Sequence, residues 1–289
     1  MLRWTPSDVA GDWRFAELST GPNRLEVAGP ADGAPVLLVH GLTYPLEVWT
    51  FLHRHLAASG RRVVRYDLPG RGLSGFDGRA LTLEVLAQQA LEVLDAAGIQ
   101  GRCALVSMSN ADLVLARLAV QAPERVSSLV CVAPSGLDPR TLTWAARLTG
   151  RSTVLRRLVD AGFRRRAGLR IEGHRAALRP DAEPHARSVY DFALRTVHES
   201  PAFAPAALSQ LAHAGTPANL LDRVRALART RVPVTFIDFR ADADAQAAGV
   251  HAFREHLPQA PWVTLDGDHM GLLQHPRPLN AAVERVLQP

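Results

Sequence analysis

Ser109 is the residue of this sequence whose surroundings most favour covalent chemistry. It stands in the stretch Leu105-Val-Ser-Met-Ser-Asn-Ala-Asp112, where an apolar run meets a helical pattern. A serine hydroxyl is a poor nucleophile near neutral pH, so it needs a base within hydrogen-bond reach and a carboxylate that orients the base. A serine with both a base and an orienting carboxylate would attack a carbonyl carbon and form an acyl-enzyme. The elements that flank Ser109 decide whether it is placed for that reaction.

A strand, a very tight connection and a helix are predicted around Ser109. Residues 103–106 form an apolar run that is long enough for one buried strand. Apolar residues then recur at helical spacing from Leu113 to Gln121, before Pro123 ends the helix. With a serine at the corner, this is the layout of a nucleophile elbow, in which a sharp, strained turn lifts the side chain out of the sheet.

The sizes of the neighbouring residues decide which serine is the corner. The residues two positions before and after the corner must be small, because they crowd against the turn. Ser109 has the small neighbours Ser107 and Ala111, whereas a corner at Ser107 would put Leu105 in the crowded place. The stretch reads S-M-S-N-A where G-x-S-x-G is usual, so a strand that merely ends in Ser-Met-Ser is the alternative.

Strands and helices alternate up to residue 136 and again from residue 220. Short apolar runs are typical of strands that are buried on both faces of a parallel sheet. The alternation predicts the α/β class, with a mostly parallel central sheet and helices on both faces. We expect strands at 24–28, 36–39, 62–66, 103–106, 126–132, 232–239 and 262–265, and helices at 49–58, 83–97, 220–230, 245–256 and 280–287.

The alternation stops between residues 137 and 214. Arginine-rich helical segments follow one another there without a convincing strand, most clearly at 152–166 and 186–199, and Pro201 and Pro205 belong to an irregular exit. Because the alternation then resumes, this part is an insertion and not an independent domain. We predict a core of residues 1–136 and 216–289 with a helical cap of residues 137–215.

Composition favours a soluble protein that lies in the cytoplasm. The chain has 289 residues, of which 47% are hydrophobic, and its first ten residues lack the apolar run of a signal peptide. No stretch approaches the roughly 18 apolar residues of a membrane span. The two cysteines, Cys103 and Cys131, lie in apolar strand-like runs and are expected to be buried free thiols.

The basic residues are all arginine, and they are concentrated in the predicted cap. The net charge is +5, and thirteen arginines stand against five acids between Arg140 and Arg195. Such an excess can attract an anionic substrate or surface, although a solvated helical face is the simpler interpretation. Aromatic residues do not interleave with the arginines, which excludes a nucleic-acid platform. The histidines have no metal-ligand spacing, so neither a metal nor another cofactor is expected.

Four motifs, in order along the chain, resemble those of the α/β-hydrolases that carry a helical cap after the sixth strand. They are the apolar strand that ends in His40-Gly41, the segment Asp67-Leu-Pro-Gly-Arg-Gly-Leu-Ser74, the elbow at Ser109, and Gly267-Asp-His269. The second is the most specific match, to D-x-P-G-x-G-x-S, and we expect it to be structural. The resemblance covers nearly the whole chain and implies the α/β-hydrolase fold.

The resemblance also implies roles for individual residues. Ser109 would be the nucleophile, His269 the general base, and the acid would follow the strand after the cap. Counting from the usual W-G-x-x-D pattern gives Asp242, although Asp238 and Phe239 replace the Trp and Gly of that pattern. Asp244 and Asp138 are the alternatives for the acid.

The backbone N–H groups of Leu42 and Asn110 would form the oxyanion hole by their position. An apolar substrate pocket could be formed by Trp49, Met108, Leu137 and Met270, each of which is equally well explained as core.

The residues around the motifs narrow the reaction class. Ser109 at the corner argues against dehalogenases and epoxide hydrolases, which have Asp there, and Met270 replaces the Trp that often follows the histidine in carbon–carbon bond hydrolases. The arginine-rich cap differs from the acidic cap of aminopeptidases. A hydrolase of small-molecule carboxylic esters, with a substrate that could be anionic, is the expected function. The alternatives are a catalytically silent small-molecule binder and an acyltransferase or perhydrolase; the oligomeric state is not readable.

Overall fold

The computed structural model describes residues 12–134, 153–214, 217–243 and 247–288. Eight strands of these residues form one sheet, in the order β1-β2-β4-β3-β5-β6-β7-β8. The two pairs that involve β2 are antiparallel, and all the other pairs are parallel. The strands are β1 (Asp12–Leu18), β2 (Gly21–Ala28), β3 (Pro35–Val39), β4 (Arg62–Tyr66), β5 (Cys103–Met108), β6 (Val126–Val132), β7 (Val234–Phe239) and β8 (Trp262–Leu265).

Helices cover both faces of this sheet, so the predicted α/β class is confirmed. On one face, α2, α3, α7 and α8 pack on the sheet in one apolar cluster; on the other face, α1, α9 and α10 share a second cluster with α4, α5 and α6. The helices are α1 (Thr50–Ala58), α2 (Leu83–Ala96), α3 (Ala111–Gln121), α4 (Thr153–Ala176), α5 (Pro184–Glu199), α6 (Phe203–Ala214), α7 (Pro217–Ala228), α8 (Ala247–His256), α9 (Gly271–Gln274) and α10 (Pro276–Val286).

The helices α4, α5 and α6 stand between β6 and β7, where a helical cap was predicted. Helix α4 is longer than the predicted segment, and α6 was missed because Pro201 and Pro205 were interpreted as an irregular exit. Pro205 is the third residue of α6, and proline is tolerated in the first turn of a helix, where its missing N–H would have no partner. The boundaries of the cap remain a prediction, since residues 135–152 lie outside the described part.

Strand β1 was also missed by the sequence analysis. It pairs with β2 along its whole length and forms one edge of the sheet. Its large apolar residues Trp13 and Phe15 are 40% and 49% exposed, and their rings meet edge to face. The strand therefore lacks the continuous apolar run by which the buried strands were recognised.

Charged residues are buried where β2 and β4 pair. Glu26 and Arg65 are directly opposite each other in the antiparallel register, and their side chains form an ion pair of 2.6 Å. Arg24 contacts Glu26 at 2.6 Å and Glu47 at 2.7 Å, and all four side chains are at most 2% exposed. Buried charges persist only when they are paired, and Arg65 and Arg24 hold the pKa of Glu26 below its usual range against the effect of burial.

Three expectations from the sequence concern the cysteines, a membrane span and a metal site. Cys103 and Cys131 are free and buried, as predicted, and burial raises the pKa of both thiols. Within the described ranges, no helix has the length and apolar character that crossing a membrane would require. Nor do three His, Cys, Asp or Glu residues in this part of the chain lie close enough together to hold a metal ion.

His53 supplies a test of the packing of α1. It is fully buried, and neither ring nitrogen has a hydrogen-bond partner among the described residues. Burial lowers its pKa well below the usual value, and Arg65 and Arg54 lower it further. The folded state therefore keeps this imidazole neutral while the unfolded chain binds a proton below about pH 6.5, so stability falls as the pH falls.

We expect His53→Leu to raise the free energy of unfolding relative to the wild type, because it removes a buried polar group that lacks a partner. This advantage should grow by about 2 kcal/mol between pH 8 and pH 5, as measured by urea denaturation. The matched control is His55→Leu on the same helix, where the imidazole is 37% exposed and contacts Glu284. An advantage of His53→Leu that does not change with pH would contradict this account.

Candidate active site

Ser109 lies in a strained turn between β5 and α3. Its φ is 55°, and Ala133 is the other described non-glycine residue with a positive φ. Residues other than glycine rarely adopt this left-handed conformation unless the surrounding structure enforces it. The Ser109 N–H donates to the Val132 carbonyl at 3.0 Å, and the Ser109 carbonyl accepts from the Asp112 N–H at 3.1 Å. The turn is thus held from both sides, and Ser107 lies inside the strand.

The loop after β3 contacts this turn. A Cβ placed on Gly41 would lie 3.1 Å from the Cβ of Ser109 and 3.7 Å from its Oγ. The contact follows from the sheet, because β3 and β5 are parallel neighbours and Val39 pairs with Ser107. The carboxyl ends of parallel strands meet at one edge, where ligands bind in open α/β sheets.

The two predicted oxyanion donors flank this contact. Leu42 follows Gly41, and Asn110 follows Ser109. Neither backbone N–H has an acceptor among the described residues. The side chain of Asn110 is buried, and its amide likewise has no hydrogen-bond partner there. Two adjacent segments therefore carry backbone donors whose hydrogen-bonding capacity is unused within the described chain.

The structure brings Asp242 and His269 together. His269 Nδ1 lies 2.9 Å from Asp242 Oδ2, and the two side chains are 4% and 3% exposed. A carboxylate that accepts the Nδ1 hydrogen leaves Nε2 of the ring with its lone pair available as a base. Asp242 follows β7, and His269 lies between β8 and α9.

The loops that carry this pair are joined by backbone hydrogen bonds. The Arg240 N–H donates to the Leu265 carbonyl and the Ala241 N–H to the Gly267 carbonyl, both at 2.9 Å. Asp268, the neighbour of His269, accepts from the Met270 N–H at 2.8 Å and from the Gln274 amide at 3.0 Å. Both partners of the pair are therefore fixed by their own local structure.

Ser109 and His269 are not joined by a hydrogen bond. The hydroxyl of Ser109 has no hydrogen-bond partner among the described residues. In free enzymes the catalytic hydrogen bonds are often long and tighten only when substrate is bound.

Three of the predicted pocket residues are buried in the apolar cluster beneath the cap. Trp49, Met108 and Met270 are at most 1% exposed and belong to one cluster with residues of α4, α5 and α6. Leu137 and the two alternative acids, Asp138 and Asp244, lie outside the described residues.

The turn segment of residues 67–74 supports the loops of the site. Asp67 is fully buried and accepts from the Leu46 N–H at 2.8 Å and from the Leu73 N–H at 3.0 Å. A Cβ on Gly72, which has φ 52°, would lie 2.2 Å from the Asp67 carboxylate. The hydroxyl of Ser74 donates to the Asp67 carbonyl at 2.9 Å. The motif is thus structural, as predicted, and burial with the nearby Glu47 raises the pKa of Asp67 against the effect of Arg24.

His40 connects this turn segment to the loop that contacts Ser109. Its Nδ1 donates to the Gly41 carbonyl at 2.7 Å, and its Nε2 accepts from the Leu68 N–H at 2.9 Å. Such a ring is neutral, and burial lowers its pKa to about 3, an effect to which the charge of Arg71 adds. His40 is therefore a structural link and is not available as a base.

Sequence reasoning missed the polar contacts between cap and core. Tyr44 Oη lies 2.8 Å from His174 Nδ1 in α4, and Arg71 donates to Gln210 in α6. These partners are more than 100 positions apart, so no local pattern connects them. The one available signal was Arg71, an arginine inside the turn segment of residues 67–74.

The chain is similar to known proteins over parts of its length. Over 109 residues, the chain is 38% identical to the dihydrolipoyllysine-residue acetyltransferase component of an acetoin cleaving system from Pseudomonas putida. This match covers 38% of this chain and 29% of that protein. It is 38% identical over 113 residues to a protein named as a carbamate hydrolase in Variovorax paradoxus, 38% of this chain and 42% of that one. A pimeloyl-[acyl-carrier protein] methyl ester esterase of Nitrosomonas europaea is 31% identical over 120 residues, 42% of this chain and 45% of that protein.

Each of these matches spans less than half the length of the relative. A solved hydrolase from Pseudomonas aeruginosa superposes with a TM-score of 0.74 at 22% identity and covers 97% of this chain and 100% of its own. That likeness concerns the fold. The family model described as the alpha/beta hydrolase fold matches residues 34–276. The chain therefore belongs to the α/β-hydrolase family.

Proposed function

We propose that the protein is a serine hydrolase that cleaves a carboxylic ester through an acyl-enzyme intermediate. The observation that carries this proposal is the buried hydrogen bond between Asp242 and His269. It fixes the imidazole with Nδ1 as donor and leaves Nε2 as the base, while the strained turn presents Ser109 at the same edge of the sheet. In this assignment Ser109 is the nucleophile, His269 the base and Asp242 the residue that orients it.

The proposed reaction has two halves. As the Ser109 Oγ bonds to the ester carbonyl carbon, its proton passes to His269 Nε2, and His269 then gives this proton to the leaving alcohol oxygen. Water attacks the resulting acyl-enzyme in the same way and releases the acid and the free serine. Asp242 stabilises the imidazolium that forms in each half.

Charge develops on the carbonyl oxygen in both halves. We assign the N–H groups of Leu42 and Asn110 as its donors, which is supported by their lack of acceptors among the described residues. One donor of this kind contributes on the order of 3 kcal/mol to the transition state. Because these donors belong to the backbone, their direction depends on how Gly41 and Ser109 pack.

The substrate class is inferred from the relatives and the cap. An ester esterase and a carbamate hydrolase are among the relatives, and both reactions begin with attack on a carbonyl carbon. We propose that Trp49, Met108 and Met270 border the acyl group. Exposed arginines on α4 and α5 would favour an anionic ester by steering; they are Arg157, Arg165, Arg166, Arg187 and Arg195.

A catalytically silent binder is the second candidate. It is favoured by the missing hydrogen bond between Ser109 and His269 among the described residues. A probe that reacts only with an activated serine separates the two functions.

We expect a fluorophosphonate probe to add once to the wild-type protein and not to Ser109→Ala, as measured by intact mass. The matched control is Ser107→Ala, which should label like the wild type because Ser107 is buried inside β5. A folded wild-type protein that remains unlabelled would favour the binder, and labelling of Ser109→Ala would disprove the assignment of the nucleophile.

We expect Asp242→Asn to lower kcat/KM for a p-nitrophenyl ester by about 10³- to 10⁴-fold, because an amide cannot hold the productive tautomer and stabilise its charge. The control is Asp238→Asn on β7, where the carboxylate contacts Arg254 at 3.3 Å, and it should keep kcat/KM within about threefold of the wild-type value. A loss of less than tenfold in Asp242→Asn would mean that another acid orients the base.

We expect Gly41→Ala to lower the rate of phosphonylation by about tenfold or more. The added Cβ would lie 3.1 Å from the Cβ of Ser109, so the loop or the turn must shift, and displacements of this kind are costly in a preorganised site. The control is Gly101→Ala, where a Cβ meets no atom within 4 Å. Equal phosphonylation rates in the two variants would show that the packing of Gly41 does not position the donors.

A further inference from the structure

Arg71 is a fully buried side chain that joins three segments of the chain. It is 1% exposed. Its Nε donates to the Leu42 carbonyl at 3.1 Å, one Nη donates to the Pro69 carbonyl at 2.6 Å, and the other Nη donates to the amide oxygen of Gln210. One guanidinium thus contacts the loop that carries a proposed oxyanion donor, its own turn and helix α6 of the cap.

No carboxylate among the described residues forms an ion pair with Arg71. The nearby acid Asp67 contacts Arg24 at 3.7 Å. Buried charges are normally paired, and a buried charge with only neutral partners is destabilising. Burial lowers the pKa of Arg71 to about 9, so the group is still cationic at neutral pH. A purely structural bridge could be made without a charge.

Helix α6 is fixed against the turn segment in a defined register. A Cβ on Gly70, which has φ 74°, would lie 2.5 Å from the Cβ of Ala206, so only glycine allows this approach. Ser209 accepts from the Leu81 N–H at 3.0 Å and donates to the Arg79 carbonyl at 3.1 Å. These contacts set the position of the Gln210 side chain, which is 1% exposed.

We propose that Arg71 and Gln210 form a positioning pair for the oxyanion hole, through which helix α6 of the cap holds Leu42 in place. The Leu42 carbonyl that Arg71 binds and the Leu42 N–H proposed as a donor belong to one residue, so the pair restricts the rotation that would turn this donor away. This inference rests on the proposed function, because it gives the pair a role in stabilising the oxyanion.

The pair should therefore act on the transition state and not on substrate binding. Losing it should lower kcat and leave KM nearly unchanged. Because both residues act through one contact chain, their effects should not add. A merely structural role would lower Tm without this kinetic pattern.

The test compares Arg71→Met, Gln210→Leu and the double variant with the wild type. We measure kcat and KM for p-nitrophenyl butyrate, the rate of fluorophosphonate labelling and Tm. We expect each single variant to lose 10- to 100-fold in kcat with KM within threefold, and the double variant to lose no more than the worse of the two. Arg71→Lys should recover only part of kcat, because an ammonium does not reproduce the planar fork of donors.

Two further variants keep the outcome interpretable. Gln210→Glu keeps an acceptor oxygen and supplies an opposite charge, so it should keep kcat within about twofold and raise Tm. Arg79→Met changes a partly exposed arginine of the same region that contacts Asp77, and it should leave kcat unchanged. If Arg71→Met does not fold, Gln210→Leu against Gln210→Glu still measures the contact.

The outcomes separate the two proposals. A wild-type protein that neither hydrolyses the ester nor labels overturns the proposed function, and the positioning role with it. An active wild type whose Arg71→Met and Gln210→Leu variants label and turn over at its rate overturns the positioning pair alone. Additive losses in the double variant, or losses confined to KM, would also overturn it.

Discussion

The loops of the candidate site depend on the hydrogen bonds that the buried carboxylate of Asp67 accepts. It accepts hydrogen bonds from the backbone N–H groups of Leu46 and Leu73, so one side chain binds two segments that belong to different parts of the chain. An unsatisfied backbone N–H in the interior costs about 1–3 kcal/mol, and Asp67 satisfies two of them. The glycine at position 72 is required because any Cβ would occupy the space of this carboxylate.

The charged side chains around Asp67 are paired with one another in the interior, and the nearby imidazole of His40 is neutral. Arg24 lies between Glu26, Glu47 and Asp67, and Arg65 pairs with Glu26. Such a network contributes little net stability against well-packed apolar residues, but removal of one partner leaves another charge uncompensated. The network therefore connects β2, Glu47 and the turn segment of residues 67–74, and loss of one of its side chains would leave a buried charge less compensated.

Much of the fold was predictable because its signals are local. Buried parallel strands are apolar runs, and the small neighbours of Ser109 placed the corner correctly. Strand β1 escaped because an edge strand with exposed Trp13 and Phe15 has no such run, and α6 escaped because Pro205 was interpreted as a breaker although it lies in the first turn.

The candidate site was predictable to the extent that its residues belong to motifs. The resemblance placed Asp242 and His269 on separate loops, and the structure joins them by a hydrogen bond. The contact of Arg71 with Gln210 could not be foreseen, because it spans 139 positions and the arginine in the turn segment gives no indication of its partner.

The seating of α6 on the turn segment has a consequence for how this cap can be exchanged. Gly70 accommodates Ala206, Ser209 bonds to the backbone on both sides of the segment 79–81, and Arg71 reaches Gln210. Helix α6 is the last helix of the predicted cap, but its packing attaches it to the core. A chimera that replaces the cap to alter substrate range should therefore be joined before Phe203. A junction at residue 215 would remove α6, the helix that packs against the turn segment of residues 67–74.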